Sequence, residues 1–352
     1  MSTTERLPAE LPPPDTDRPA AADPVTGPLL DSWARRMRSA RWSWPVVLCL
    51  AVGLGTSPVL PGYYFWIWAL GLVLAVAGLI HGHLVHGRWW PAARAALPAQ
   101  AWRPVPAAVV GRRVLEPGAG TLPGHLRVTG LHEAERQLIA RTGRIWVVGP
   151  DRRGWLTVRL DGTPGLYPAR LVRPRTGLPA LTSRPSGTTG TAADDPVTNA
   201  LAVWRRRCLG GWLGIAVLPI LVVAFAPGRV DRWLLVVALV VGLSLPMIVP
   251  ARPRWFLATS RLPRLLRAGA WTRVAVTLRP WEIRLDGTAN ATGTVQPDGG
   301  ACLDISLPLA TTELLGTMWR TGTVWLAGEP DPGRTVAVGF PGYPLLGVAR
   351  LS

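Results

Sequence analysis

The chain has no lysine, three cysteines and four each of methionine, tyrosine and phenylalanine, and its 38 basic residues face only 21 acidic ones. Cys49, Cys208 and Cys302 are too few and too scattered for a disulfide framework or a CxxC metal site, and read as small apolar residues. GxSxG, HExxH, a Walker loop and a GxGxxG opening a helix are also absent, which removes the usual signatures of acyl transfer, zinc hydrolysis and nucleotide binding. No catalytic residue and no cofactor is therefore expected. The scattered carboxylates read as solvated charges.

What is present is apolar. Hydrophobic residues make up 48% of the 352, and the mean hydropathy is +0.23. Uncharged runs extend from Trp42 to Leu60 and Tyr63 to Ile80, then from Leu209 to Pro227 and Trp233 to Pro250. Runs of about 18 to 20 apolar residues suit a hydrocarbon core about 30 Å thick. The fold class expected is a helical membrane protein, with four transmembrane helices paired as two hairpins at 42–86 and 205–250. A small cytoplasmic β-rich (α+β) module follows each hairpin, at 87–173 and 251–352. Trp89, Trp90, Trp212, Trp233, Trp255 and Phe256 are expected as interfacial aromatics. Residues 1–34, rich in proline and alanine and without apolar periodicity, are expected to be a disordered tail, and 174–203 a flexible linker. No Asp, Glu, Arg or His interrupts the runs, which argues against an ion-coupled transporter.

The net charge of +17 is carried by arginine. Arg35, Arg36, Arg38, Arg41, Arg88, Arg94, Arg205, Arg206, Arg207, Arg252 and Arg254 flank one side of the runs, against Arg229 and Arg232 on the other. By the positive-inside rule this predicts a multi-pass protein of a bacterial cell membrane with both termini and both modules cytoplasmic. Topology thus accounts for the arginines better than a nucleic-acid surface does.

An internal duplication organises the whole. Arg141, Thr142, Gly143, Trp146, Gly149 and Gly154 recur as Arg320, Thr321, Gly322, Trp325, Gly328 and Gly333, 179 positions on. After a one-residue slip, Val158, Gly162, Pro164, Leu166, Ala169, Arg170 and Leu171 recur 180 positions on, from Val338 to Leu351. Ala101-Trp102 matches Ala270-Trp271 at a smaller offset. Short runs such as RIWVVG, WLTVRL, TVWLAG and RTVAVGF, bounded by Gly, Pro or Asp, predict strands. Residues 131–143 and 309–322 predict one short helix each, ending at the glycine of the shared RTG. Each module is then a small barrel or sandwich of five or six strands.

Three groups stand out chemically. His81, His83 and His86 form HGHLVH; His83 and His86 share a helical face and are the nearest thing to a metal site, although the second unit has no histidine. Arg252, Arg254, Trp255, Arg261, Arg264 and Arg267 form a basic-aromatic stretch suited to a lipid interface, with the bilayer and its anionic headgroups as partners. Arg141 and Arg320, in register at the end of each short helix, are expected to satisfy terminal carbonyls. A protein partner or a second copy of the chain completes the expected partners.

With paired modules and no chemical motif, the expected role is a non-enzymatic membrane scaffold or interaction protein. The alternative is an oligomeric channel or transporter component with the modules as a cytoplasmic vestibule. In its arginine-only basic complement and its high Ala, Gly, Pro and Trp content the chain resembles uncharacterised multi-pass membrane proteins of actinomycetes, a resemblance that implies no activity.

Overall fold

The computed structural model describes residues 10–35, 37–38, 80, 84–174, 179–182, 190–224, 258–284, 287–297 and 299–352, with side chains of 211–224 excepted. The first unit holds helices α1 (26–35) and α2 (84–96), then β1 (Arg103–Val109), β2 (Val114–Pro117), β3 (His125–Val128), α3 (Glu133–Thr142), β4 (Arg144–Val148), β5 (Trp155–Leu160) and β6 (Tyr167–Val172). The second holds α4 (Pro196–Ala224), α5 (Leu262–Leu265), β7 (Trp271–Leu278), β8 (Thr288–Pro297), β9 (Leu303–Thr311), α6 (Thr312–Thr321), β10 (Thr323–Ala327), β11 (Thr335–Gly339) and β12 (Leu346–Leu351).

Strand periodicity sets the architecture. Val105, Ala107 and Val109 in β1, and Val274, Val276 and Leu278 in β7, are buried at alternate positions, as a strand with one face inward requires. Each unit closes into a six-stranded barrel in which every neighbouring pair is antiparallel, in the order β1-β2-β3-β6-β5-β4 and β7-β8-β9-β12-β11-β10. Closure leaves no open sheet edge. One apolar core runs through both barrels, from Leu126, Leu138 and Ile145 in the first to Leu307, Leu314 and Val338 in the second. Fully burying each such side chain contributes about 1.5 to 3 kcal/mol.

The duplication holds at atomic detail. α3 and α6 begin and end 179 positions apart, and their caps Gly143 and Gly322 adopt the same left-handed conformation, φ 62° and 61° with ψ 13° in both. Trp146 opposes Arg159 across β4 and β5, and Trp325 opposes Gly339 across β10 and β11. The amide of Ala20 donates to Gln100 O at 2.8 Å, and that of Ala192 donates to Gly269 O at 2.8 Å. The last pair carries the repeat upstream of the barrels, into two stretches expected to lack structure.

Four sequence-based expectations are corrected. First, the architecture is a pair of closed β-barrels rather than a helical bundle bearing small modules, and no helix among the described residues is long and apolar enough to cross a membrane. Most of the runs at 42–80 and 233–250 lie outside the described residues. Second, the assignment to a multi-pass position in a cell membrane, and with it the membrane scaffold and the channel, loses its basis. Two arginines read as topology signals serve the barrels: Arg205 is buried and donates to Leu346 O at 3.0 Å, and Arg35 donates to Ile283 O at 3.2 Å. Third, Trp89, read as an interfacial aromatic, is fully buried and donates from Nε1 to Thr157 Oγ1 at 3.1 Å. Fourth, residues 10–35 are not a disordered tail. Ala20, Val25 and Leu29 pack with Trp89, Trp102 and Trp155 on the outside of the first barrel. Likewise the end of the 174–203 linker is ordered, with Ala192, Val197 and Leu201 packed beside Leu262, Leu266 and Leu346.

Candidate functional site

The sequence Asp-Pro-Val-Thr occurs at 23–26 and at 195–198, 172 positions apart. Both copies start a helix for the same reason: aspartate is a favoured N-cap, and proline, lacking an N–H, suits the first helical position. Asp23 Oδ1 accepts the amides of Val25 at 2.9 Å and Thr26 at 3.2 Å. Asp195 Oδ2 accepts the amide of Thr198 at 3.0 Å and its hydroxyl as well.

Each capping carboxylate then faces the RTG arginine of the other repeat. Arg320 Nη1 of α6 lies 3.5 Å from Asp23 Oδ2, and Arg141 Nη2 of α3 lies 3.7 Å from Asp195 Oδ1. Arg141 also donates to Gly342 O at 3.4 Å, while the Gly342 amide donates to Asp195 at 3.0 Å. Asp23 has a second cation, Arg159, whose Nη1 is 3.1 Å away and whose Nε donates to Thr163 O. Burial pushes the Asp23 carboxyl up, but the Arg159 charge, the Val25 amide and Arg320 outweigh it and hold it below its ordinary value. Burial likewise lowers Arg159. At the centre of the seam Tyr343 presses on Gly162, where a Cβ would stand 2.2 Å from the ring.

The two repeats differ beside this frame. In the first, Glu135 completes a capping box by accepting the His132 amide at 3.0 Å, and it receives the Tyr167 hydroxyl with Arg205 nearby. Burial raises the Glu135 carboxyl to about 7, lowers Arg205 to about 9 and lifts Tyr167 well above its usual value. His132 stacks on Trp204 of α4 with ring centroids 3.9 Å apart. In the second repeat the matching positions are Leu314, Gly347 and Trp33, and Leu314 packs over Gly347 in place of the polar pair.

There the groove between α1 and α6 stays open. It encloses about 460 Å³ lined by Pro24, Pro28, Trp281, Gly316, Trp319 and Arg320. Gly316 lets Val25 form its floor, since a Cβ would meet Val25 Cγ1 at 2.4 Å. The rings of Trp281 and Trp319 meet edge-on, 5.6 Å apart at 71°. Trp319 is 57% exposed, while its counterpart in α3 is Ala140, and Trp281 lies in the connection between β7 and β8, which is longer than the matching one between β1 and β2. Duplication of the barrel therefore does not require either tryptophan.

The residues singled out in the sequence are not gathered at this groove, apart from Arg320. His83, Arg252, Arg254 and Trp255 lie outside the described residues. His86 rests against Trp33, with centroids 5.2 Å apart, and no group of His, Cys, Asp or Glu suited to a metal occurs among the described residues. Arg261, Arg264 and Arg267 are exposed, but the neighbouring Leu262 and Leu266 face inward and are fully buried, so the apolar side of that segment serves the protein core. Sequence reasoning missed the two aspartates and the tryptophan pair. The repeated DPVT was a usable signal for the aspartates, whereas Trp281 and Trp319 are paired only by the fold. Comparison with protein-family models, with curated proteins and with solved structures returned no match.

Proposed function

We propose that this is a non-enzymatic binding protein whose two barrels form one interlocked body that presents the α1–α6 groove to a macromolecular partner. The observation that carries the reading is the asymmetry at that groove. In a frame repeated down to single hydrogen bonds, the second repeat sets an exposed tryptophan, Trp319, where the first has Ala140, and the groove beside it is open. Exposed tryptophan beside arginine is the composition of interface hot spots. The absence of a nucleophile–base pair among the groove residues also supports binding over catalysis, since its one charged member, Arg320, is engaged by Asp23.

Photo-crosslinking tests this in the native host. A benzophenone side chain placed at Trp319 is expected to give a discrete higher-mass adduct. The same group at Arg112, an exposed residue of the first repeat, is expected to give none. Equal adduct formation at both sites, or none at either, would remove the reading.

A further inference from the structure

Resting on that reading, we infer that the occupant of the groove is an extended, proline-bearing peptide. The chain already seats such a segment at the groove's edge. Leu11-Pro12-Pro13-Pro14 runs into the seam, Leu11 packs against the shared core, and Arg320 Nη2 donates to Pro13 O at 2.8 Å. Arg320 and Val25 line both that seat and the tryptophan groove, so the two are continuous.

The chemistry matches on both sides of the contact. A proline-rich strand is preformed in the polyproline II conformation, its rings stack on aromatic faces, and its carbonyls, which have no intrachain donor, accept from arginine or an indole N–H. Trp281 and Trp319 supply two faces set at 71° to each other, and at the adjoining seat Arg320 already donates to the carbonyl of Pro13. Pro24 and Pro28 form an apolar wall with no amide N–H of its own to satisfy. An amphipathic helix is a poorer fit, because that kind of ligand needs a trough between helices and here Val25 already packs directly on Gly316 of α6.

Fluorescence anisotropy on the full chain tests the inference, with a fluorescein-labelled peptide of repeated Leu-Pro-Pro-Pro as probe and its all-alanine version as control. Saturable binding of the proline peptide is expected, at least ~10-fold weaker with Trp319→Ala and with Trp281→Ala, and unchanged with Arg112→Ala. Trp319 is exposed, so its variant should keep the wild-type melting curve; Trp281→Ala gives an independent reading if it does not. No binding up to millimolar peptide, equal affinity for the alanine peptide, or wild-type affinity in both tryptophan variants would overturn it. A wild-type dimer that Trp319→Ala dissociates would assign the face to a second copy and would also overturn it. A Trp319 adduct to another protein in the host, with no peptide binding, would leave a binding face and reject only the proline class.

Discussion

Arg141, in the last turn of α3, lies 3.7 Å from Asp195, the N-cap of α4 in the other repeat, and both side chains are almost fully buried. Its counterpart, Arg320 with Asp23, is one-quarter exposed on the arginine side and shares its carboxylate with Arg159. Removing one partner of a buried pair leaves an uncompensated charge, at a cost of roughly 3 to 5 kcal/mol. Arg141→Ala is therefore expected to destabilise by about 3 kcal/mol and Arg320→Ala by about 1 kcal/mol. Urea midpoints at unchanged slope measure both. Equal effects of the two variants would show that the pairs are not graded by burial.

Asp23→Asn removes the carboxylate paired with Arg159, whose side chain is only 3% exposed, while an asparagine still caps α1. A loss of about 3 to 5 kcal/mol is expected, against almost none for Asp15→Asn on the exposed part of the same segment. Chemical denaturation of the two variants distinguishes an integral N-terminal segment from a dispensable one.

That segment shows where the sequence stops being readable. The short helices expected over 131–143 and 309–322 form as Glu133–Thr142 and Thr312–Thr321, because a glycine cap and apolar spacing are local signals. Residues 10–35 carry only the helix-start signal of Asp23-Pro24, with neither a glycine cap nor apolar spacing. Their order depends on Arg159 and Arg320, which reach Asp23 only after the barrels have closed. Apolar content misleads in the same way: Trp89, expected as an interfacial aromatic, packs with Trp102, Trp146 and Trp155, and Leu262 and Leu266, within the stretch expected at a lipid interface, pack with Ala337, Leu346 and Val348. The groove was invisible because Trp281 follows β7 whereas Trp319 sits on α6, and nothing local pairs them.

The buried Glu135 gives a pH signature. Its carboxyl is raised from 4.5 to about 7 by burial, so the folded protein holds a proton that the unfolded chain releases between those values. Its contribution is fully present below about pH 4.5 and is lost as pH rises through 7. Tyr167 on β6 and Arg205 on α4 are the titratable groups that act on it, the His132 amide donates to it, and Glu313 on α6 acts on both Tyr167 and Arg205. Asp23 acts oppositely, since its lowered carboxyl contributes above 3.8 and is lost on acidification. Glu135→Gln is expected to flatten the fall in stability between pH 4.5 and 7, by up to about 3 kcal/mol, in denaturant titrations across that range. An unchanged slope would place the titration elsewhere.

Gly162 and Gly143 separate backbone strain from steric conflict. Both have positive φ, +72° and +62°, but only at Gly162 does an added Cβ strike a neighbour, the Tyr343 ring. Gly143→Ala is expected to cost about 1 kcal/mol and Gly162→Ala at least about 3 kcal/mol. Pairing Gly162→Ala with Tyr343→Ala should recover part of that difference in a thermal melt.

The central structural conclusion is that the two repeats fold as one interlocked body, each capped by the other through Asp23–Arg320 and Asp195–Arg141. Differential scanning calorimetry of the intact chain tests this most directly. A single endotherm is expected, with calorimetric and van't Hoff enthalpies in agreement, and Arg141→Ala should move that endotherm as a whole. Two resolved transitions, only one of them shifted by Arg141→Ala, would mean that the barrels melt independently and would contradict the account.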